Sequence, residues 1–128
     1  MMVIEDEELL LRAITKKLEF MGKKVISCIS GKQALDYLAN LPDLPGVIWL
    51  DYYLKDMNGL EFMQELKKRA EWAKIPVLVV SNSASPDKVH RMLALGAKKY
   101  MLKAESRLDD LVKIVDETIM EPEGGNGA

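Results

Sequence analysis

The sequence predicts a doubly wound α/β fold, (βα)5, in which five parallel strands are each followed by a helix. Three observations point to it. Five short apolar runs recur along the chain, longer segments of helical period separate them, and side-chain capping signals stand where those segments begin. The apolar runs are Met2 to Ile4, Val25 to Ile29, Val47 to Leu50, Val77 to Val80 and Tyr100 to Leu102. None keeps the strict apolar–polar alternation of a strand with one wet face. Strands apolar on both sides are buried on both sides, which is the habit of parallel sheets covered by crossover helices.

The helical segments follow in order. Leu11, Ile14, Leu18 and Met21 share one face of a first helix near 7–21, which Gly22 stops. Ser30 with Gln33 opens a second near 31–39, Asn58 with Glu61 a third near 59–70, Ser85-Pro86-Asp87 a fourth near 86–95, and Ser106 with Asp109 a fifth near 107–119. A side-chain acceptor ahead of the first turn satisfies an N–H that the helix cannot, and a polar partner three residues on can return the bond. Leu108, Leu111, Val112, Val115 and Ile119 mark the buried face of the last helix. Pro42, Asp43, Pro45 and Gly46 punctuate the approach to the third strand. Glu121 to Ala128 has no apolar pattern to bury, so the expected organisation is one domain over 1–120 and a disordered tail or linker stump over 121–128.

Composition narrows the function. With 128 residues, 48% hydrophobic and 30% charged, the chain has the material for one core. Eighteen Lys and Arg against twenty Asp and Glu leave a net charge of −2, which gives no reason to expect direct nucleic-acid or membrane partners. The single Cys28 cannot form an internal disulfide and reads as a small apolar strand residue. Acidic residues fill Glu5 to Glu8, where a signal peptide needs a basic segment, and no apolar run approaches the roughly 20 residues that cross a bilayer. A soluble cytoplasmic protein is expected.

The reactive polar residues fall at strand ends. Glu5 and Asp6 follow the first strand, Asp51 ends the third, Ser81 ends the fourth and Lys103 ends the fifth. Ligands of open α/β sheets bind outside the carboxyl ends of the strands where the order reverses, and a strand order of 2-1-3-4-5 makes the first and third strands neighbours there. All five residues then converge. Three carboxylates in one pocket repel each other and favour a hard divalent cation, and Mg²⁺, or Mn²⁺ in its place, suits a few carboxylates with waters and a phosphoryl oxygen. Beside such a cation Asp51 is a credible nucleophile toward phosphorus. Lys103 and Ser81 would supply a positive charge and a hydroxyl to the phosphoryl oxygens.

The stretch from Val47 to Glu61, VIWLDYYLKDMNGLE, resembles the phosphoacceptor region of response-regulator receiver domains, in which the Asp is followed by a loop ending in Met-x-Gly-x-Glu. The acidic pair after strand one, Ser after strand four, an aromatic in strand five and Lys at its end recur at similar spacing over roughly residues 2–120. The resemblance implies the flavodoxin-like receiver fold of the chemotaxis-protein type, and a two-component phosphorelay switch rather than a turnover enzyme. It implies Glu5, Asp6, Asp51 and the backbone carbonyl of Tyr53 as metal ligands, Asp51 as phosphoacceptor, Ser81 and Lys103 as phosphoryl-binding residues, and Ser81 with Tyr100 as the switch. The implied partners are a sensor histidine kinase or histidine phosphotransfer protein, and an output domain or downstream protein reading the fourth helix, fifth strand and fifth helix.

The chain departs from the family pattern at several positions. Lys55 stands where the loop usually has Pro, Asn82 where a small residue is usual, and Ala104 where Pro normally follows the Lys in a cis peptide; a non-prolyl cis bond costs about 2.5–4 kcal/mol. Tyr53 and Ser83 hold the two variable positions that tune phosphoryl loss in this family, and Tyr53 is expected to shield the acyl phosphate. The departures favour one rival, a pseudo-receiver interaction module that is not phosphorylated. A second rival, a small aspartyl phosphohydrolase of the haloacid dehalogenase type, would need a second Asp where Tyr53 stands. His90 is expected to face outward rather than join Ser81 and Asp51 in a triad. Trp49 and Trp72 read as packing residues, and Glu7 and Glu8 as solvated first-turn acids. Gly31-Lys32 lacks the glycine and hydroxyl residues of a phosphate-binding loop.

Overall fold

The computed structural model describes residues 1–83, 85–103 and 107–120, with the backbone alone for Ile119 and Met120. The tail 121–128, the Lys103–Ala104 peptide and the expected Ser106 cap lie outside the described residues. Strands β1 (Met2–Ile4), β2 (Ile26–Cys28), β3 (Ile48–Asp51), β4 (Val77–Ser81) and β5 (Lys99–Leu102) alternate with α1 (Glu8–Phe20), α2 (Gly31–Asn40), α3 (Gly59–Leu66), α4 (Ala70–Ala73), α5 (Pro86–Ala94) and α6 (Leu108–Met120). The five strands form one sheet in the order β2-β1-β3-β4-β5, every pairing parallel.

Both faces of the three central strands, β1, β3 and β4, are dry, while the edge strands β2 and β5 are half-buried. On one face Ile48, Leu50, Val77 and Val79 pack with Ala34 and Leu38 of α2, Phe62, Met63 and Leu66 of α3 and Met92 of α5. On the other, Trp49, Leu78 and Val80 meet Leu11, Ile14 and Leu18 of α1 and Leu111, Val112 and Val115 of α6. Burying each such aliphatic side chain contributes about 1.5–3 kcal/mol, so sheet and helices stabilise one another. Ion pairs from Lys17 to Asp109 at 2.5 Å and Lys23 to Asp116 at 2.6 Å lace the exposed edge between α1 and α6. Among the described residues no helix is long and apolar enough to cross a membrane.

The caps form where the sequence places them. Ser30 Oγ accepts from the Gln33 N–H at 3.0 Å, Ser85 Oγ from the Lys88 N–H at 3.3 Å, and Asn58 and Glu61 form a reciprocal capping box. Three expectations are corrected. Met21 is 40% exposed and not part of the first helix's buried stripe, because α1 ends at Phe20 and the chain turns away at Gly22, whose φ is +86°. The second strand is shorter than 25–29, and Ile29 beyond it is 55% exposed. The third helix stops at Leu66 rather than reaching 70, and a separate turn of helix, α4, follows. Leu66 is buried, and an unbroken helix would carry the same face on through Arg69, Ala70 and Ala73, leaving Trp72 pointing away. Arg69 is extended instead (φ −120°, ψ 130°), which re-phases the chain and buries Trp72 beneath the Arg69 guanidinium, 4.5 Å from the ring centroid.

Candidate functional site

The carboxyl ends of β1, β3, β4 and β5 meet at one edge of the sheet. β3 runs through Asp51 and β4 through Ser81, so the acceptor and the hydroxyl are the last residues of their strands. One carboxylate oxygen from each of Glu5, Asp6 and Asp51 lies within 4.8 Å of the others. Glu5 and Asp51 are buried and Asp6 is half-buried. The amide N–H of Glu7 donates to Glu5 Oε2 at 3.1 Å, fixing that carboxylate as the chain enters α1.

Lys103 occupies the same pocket. Its ammonium donates to Glu5 Oε1 at 2.8 Å and lies 3.5 Å from Asp51 Oδ1. Its own N–H donates to the Ser81 carbonyl at 2.8 Å, which holds the end of β5 against the end of β4. Burial by itself would lower the Lys103 pKa, yet the bond to Glu5 and the charges of Asp51 and Glu5 outweigh it and raise the value, so the side chain stays cationic. Asp51 is pushed up to about 7, first by burial and then by the neighbouring Glu5 charge, with Lys103 and the Tyr53 N–H opposing the rise. A carboxylate held in that range without metal gains most from a cation.

The cluster suits a hard divalent ion. Mg²⁺ holds its oxygen ligands at about 2.0–2.1 Å, so adjacent ligand oxygens stand roughly 2.9 Å apart and opposite ones roughly 4.2 Å, and these three, within 4.8 Å of one another, would draw together on the ion. Oxygen donors without Cys or His are the set that Mg²⁺ and Mn²⁺ prefer.

The loop after Asp51 is held without the proline that Lys55 replaces. Tyr53 forms a bridge with Asn58, the Leu54 N–H donates to the Met57 carbonyl at 3.2 Å, and the Gly59 N–H donates to the Tyr52 carbonyl at 2.7 Å. Asp56, which the sequence reading did not single out, spends both carboxylate oxygens on the first turn of α2: the Gly31 and Lys32 N–H groups donate to it at 3.0 and 2.9 Å. A Cβ at Gly31 would stand 2.5 Å from Met57 Sδ, so any larger residue there must displace the Met57 side chain. The helix terminus at Gly31-Lys32 is therefore capped by the chain's own carboxylate.

On the opposite rim, Ser83 links several groups. Its N–H donates to Ser81 Oγ at 3.2 Å, its carbonyl accepts from the Tyr100 hydroxyl at 2.6 Å, and its own hydroxyl lies 3.4 Å from that of Tyr53. Lys88 was also missed; its ammonium donates to the Tyr53 hydroxyl and, at 3.0 Å, to Ser83 Oγ. Thus Glu5, Asp6, Asp51 and Lys103 come together in one pocket, Ser81 borders it, and Tyr100 is linked to Ser81 through Ser83. His90 is exposed on α5, and burial pushes the Cys28 thiol up to about 12, which leaves it inert. Trp49 and Trp72 are both core residues.

Comparison with known proteins agrees with this geometry. Residues 1–116 match the family model of the response regulator receiver domain. The chain belongs to that family. Two-component response regulator ORR3 of Oryza sativa subsp. indica is 30% identical over 91% of this chain and 88% of its own length. ORR7 of Oryza sativa subsp. japonica is 30% identical over 80% of this chain but only 48% of its own, so the chain spans about half the length of that relative. Among solved structures, the non-phosphorylated HemR receiver domain of Leptospira biflexa superposes with a TM-score of 0.85 at 21% identity, covering 98% of this chain and 97% of that one. The phosphorylated cyanobacterial phytochrome response regulator RcpA superposes with a TM-score of 0.77 at 27% identity, over 91% of this chain and 88% of that one. The receiver fold and the strand order expected from the sequence are both present.

Proposed function

We propose that this receiver domain is a working phosphoacceptor, in which Asp51 takes a phosphoryl group from a phosphohistidine donor in a Mg²⁺-dependent step. The observation that carries the reading is the acidic trio, Glu5 and Asp51 buried and Asp6 half-buried, with Lys103 beside it at the carboxyl edge of the sheet. Glu5, Asp6, Asp51 and the Tyr53 backbone carbonyl would hold the cation, which when bound offsets the negative charge of the transferring group. An Asp51 oxygen attacks phosphorus, the bond from phosphorus to the donor nitrogen breaks, and the donor histidine keeps that electron pair. Lys103 leaves Glu5 for a phosphoryl oxygen, and the Ser81 hydroxyl donates to another.

Ser81, Ser83 and Tyr100 form the path by which that event reaches the surface. A Ser81 hydroxyl drawn toward the phosphoryl group releases the Ser83 N–H, and the Ser83 carbonyl holds Tyr100 on β5. The responsive surface is α5-β5-α6, the fourth and fifth helices of the sequence reading becoming α5 and α6 here. The partners proposed are a sensor histidine kinase or phosphotransfer protein upstream, and an output domain or separate protein downstream. A cytoplasmic setting fits the buried free thiol. The domain is consumed as its own substrate and restored by hydrolysis, so its turnover is regulation rather than catalysis.

Trp49 supplies the test, since it lies two residues from Asp51 and shares with Lys103 the wall of a small cavity. Its fluorescence should change on Mg²⁺ addition and again with acetyl phosphate, with a mass gain of one phosphoryl group. Asp51→Asn should abolish the donor response and the mass gain. A chain that answers neither cation nor donor is the pseudo-receiver, in which Lys103 permanently satisfies Glu5 and Asp51.

A further inference from the structure

We propose that Lys88 sets the lifetime of the Asp51 acyl phosphate by clasping Tyr53 to Ser83 across the mouth of the pocket. The inference rests on the phosphoacceptor reading above and assigns a role to a residue outside the pocket. Tyr53 and Ser83 are placed alike. The Tyr53 N–H lies 3.4 Å from Asp51 Oδ1 and the Ser83 N–H lies 3.2 Å from Ser81 Oγ, so each backbone touches a reacting group while its side chain stands at the rim. Their hydroxyls stand 3.4 Å apart, and α5 adds a second, cationic tie between them. From its first turn Lys88 sends an ammonium to both hydroxyls, over the faces of Tyr53 at 4.5 Å and Tyr52 at 5.0 Å from the ring centroids. Tyr52 is buried and meets Tyr53 edge-on at 4.8 Å, which gives the clasp a fixed floor.

Without Lys88, Tyr53, 52% exposed, keeps the long 3.4 Å hydroxyl contact to Ser83 and the edge of Tyr52, a weaker hold on a phenol at the rim. Loss of the phosphoryl group requires a water oxygen to attack phosphorus in line with the Asp51 oxygen. The phosphorus–Asp51 bond breaks, the carboxylate is restored, and inorganic phosphate leaves with the water's proton. A phenol tied down beside that path excludes water from it. Lys88 is thus a positioning residue that acts through Tyr53 and Ser83. Because Ser83 also holds Tyr100, movement of α5 by a partner would open the clasp and shorten the signal.

The test uses the full chain loaded with acetyl phosphate and Mg²⁺, freed of donor, and followed by mass and by released inorganic phosphate. Lys88→Met should lose the group about fivefold faster, while its rate of uptake stays that of the wild type. Lys88→Arg, which keeps a cation able to reach both hydroxyls, should restore slow loss. Tyr53→Phe should be as fast as Lys88→Met, and the double variant no faster than either, a non-additivity that a general effect on α5 would not produce. A Lys88→Met lifetime equal to the wild type's, or additive acceleration in the double variant, would overturn the clasp alone. A wild-type chain that gains no phosphoryl mass would overturn the phosphoacceptor reading, and the lifetime role with it, before any rate is taken.

Discussion

Two lysines serve the site, one bonded within the Asp51 pocket and one at its rim on Tyr53 and Ser83, and their settings differ. Lys103 is enclosed, its side chain 16% exposed, and it faces two carboxylates that are themselves buried. Lys88 stands at the rim and donates to two neutral hydroxyls above aromatic rings. A buried charge that loses its partner has no water to replace it, whereas a rim group that loses its partner is hydrated at once. The first arrangement therefore bears on folding, metal affinity and chemistry together. The second is free to adjust a rate while leaving the fold untouched.

The largest expected effect follows from the enclosed side. Lys103→Met leaves Glu5 and Asp51 facing each other without a cation, and should lower metal-free stability by about 3 kcal/mol at pH 8, read from urea unfolding in EDTA. The same variant should bind Mg²⁺ more tightly by Trp49 fluorescence, because the ammonium no longer competes for the carboxylates. Equal stability with and without Lys103 would mean that the pocket is already wet.

Asp51→Asn comes next and has the opposite sign. The folded chain holds the Asp51 proton up to about pH 7, whereas the unfolded chain releases it near the ordinary carboxylate value. The folded state therefore binds more protons between those values, and wild-type stability falls as pH rises from about 4 through about 7. Relative to wild type, Asp51→Asn should gain on the order of 1–2 kcal/mol between pH 5.5 and pH 8 without metal, and the gain should shrink when Mg²⁺ is added. A difference between the two proteins that does not vary with pH would remove the strained-carboxylate account.

The contrast between the two sides also decides what was legible in the sequence. Glu5, Asp6, Asp51, Ser81 and Lys103 each follow or end an apolar strand, and parallel topology brings strand ends together whatever the loops do. The fold was readable for the same reason, from runs such as Val77 to Val80 that only a two-faced sheet buries. Lys88 and Asp56 are different. Lys88 sits within a helix that looks solvated, and its partners lie 35 and 5 residues away. Asp56 caps a helix 25 residues upstream, a contact that needs the packed structure to exist. The break after Leu66 was hidden because no glycine or proline marks it; the need to bury Trp72 does, and that need appears only once α3 has docked.

Asp56 offers a smaller effect that still belongs to the enclosed side, since it ties the loop holding Tyr53 to α2. Asp56→Ala should cost about 1 kcal/mol, the usual worth of a helix cap, and should weaken Mg²⁺ binding if the loop then loosens. An Mg²⁺ affinity that stays unchanged would show that the Tyr53–Asn58 bridge and the capping box of α3 suffice to hold it.

The smallest expected effect is the one that sharpens the comparison most. Lys88→Met should leave the urea midpoint and the Mg²⁺ affinity where they are, because water replaces the hydroxyl and ring contacts of an ammonium at the rim. Set beside Lys103→Met, which moves both quantities, that indifference separates a lysine needed by the folded pocket from one that acts only on the phosphorylated state. If Lys88→Met instead lowered the midpoint as Lys103→Met does, the clasp would belong to the fold, and any change in phosphoryl lifetime would follow from a loosened α5 rather than from a guarded path to phosphorus.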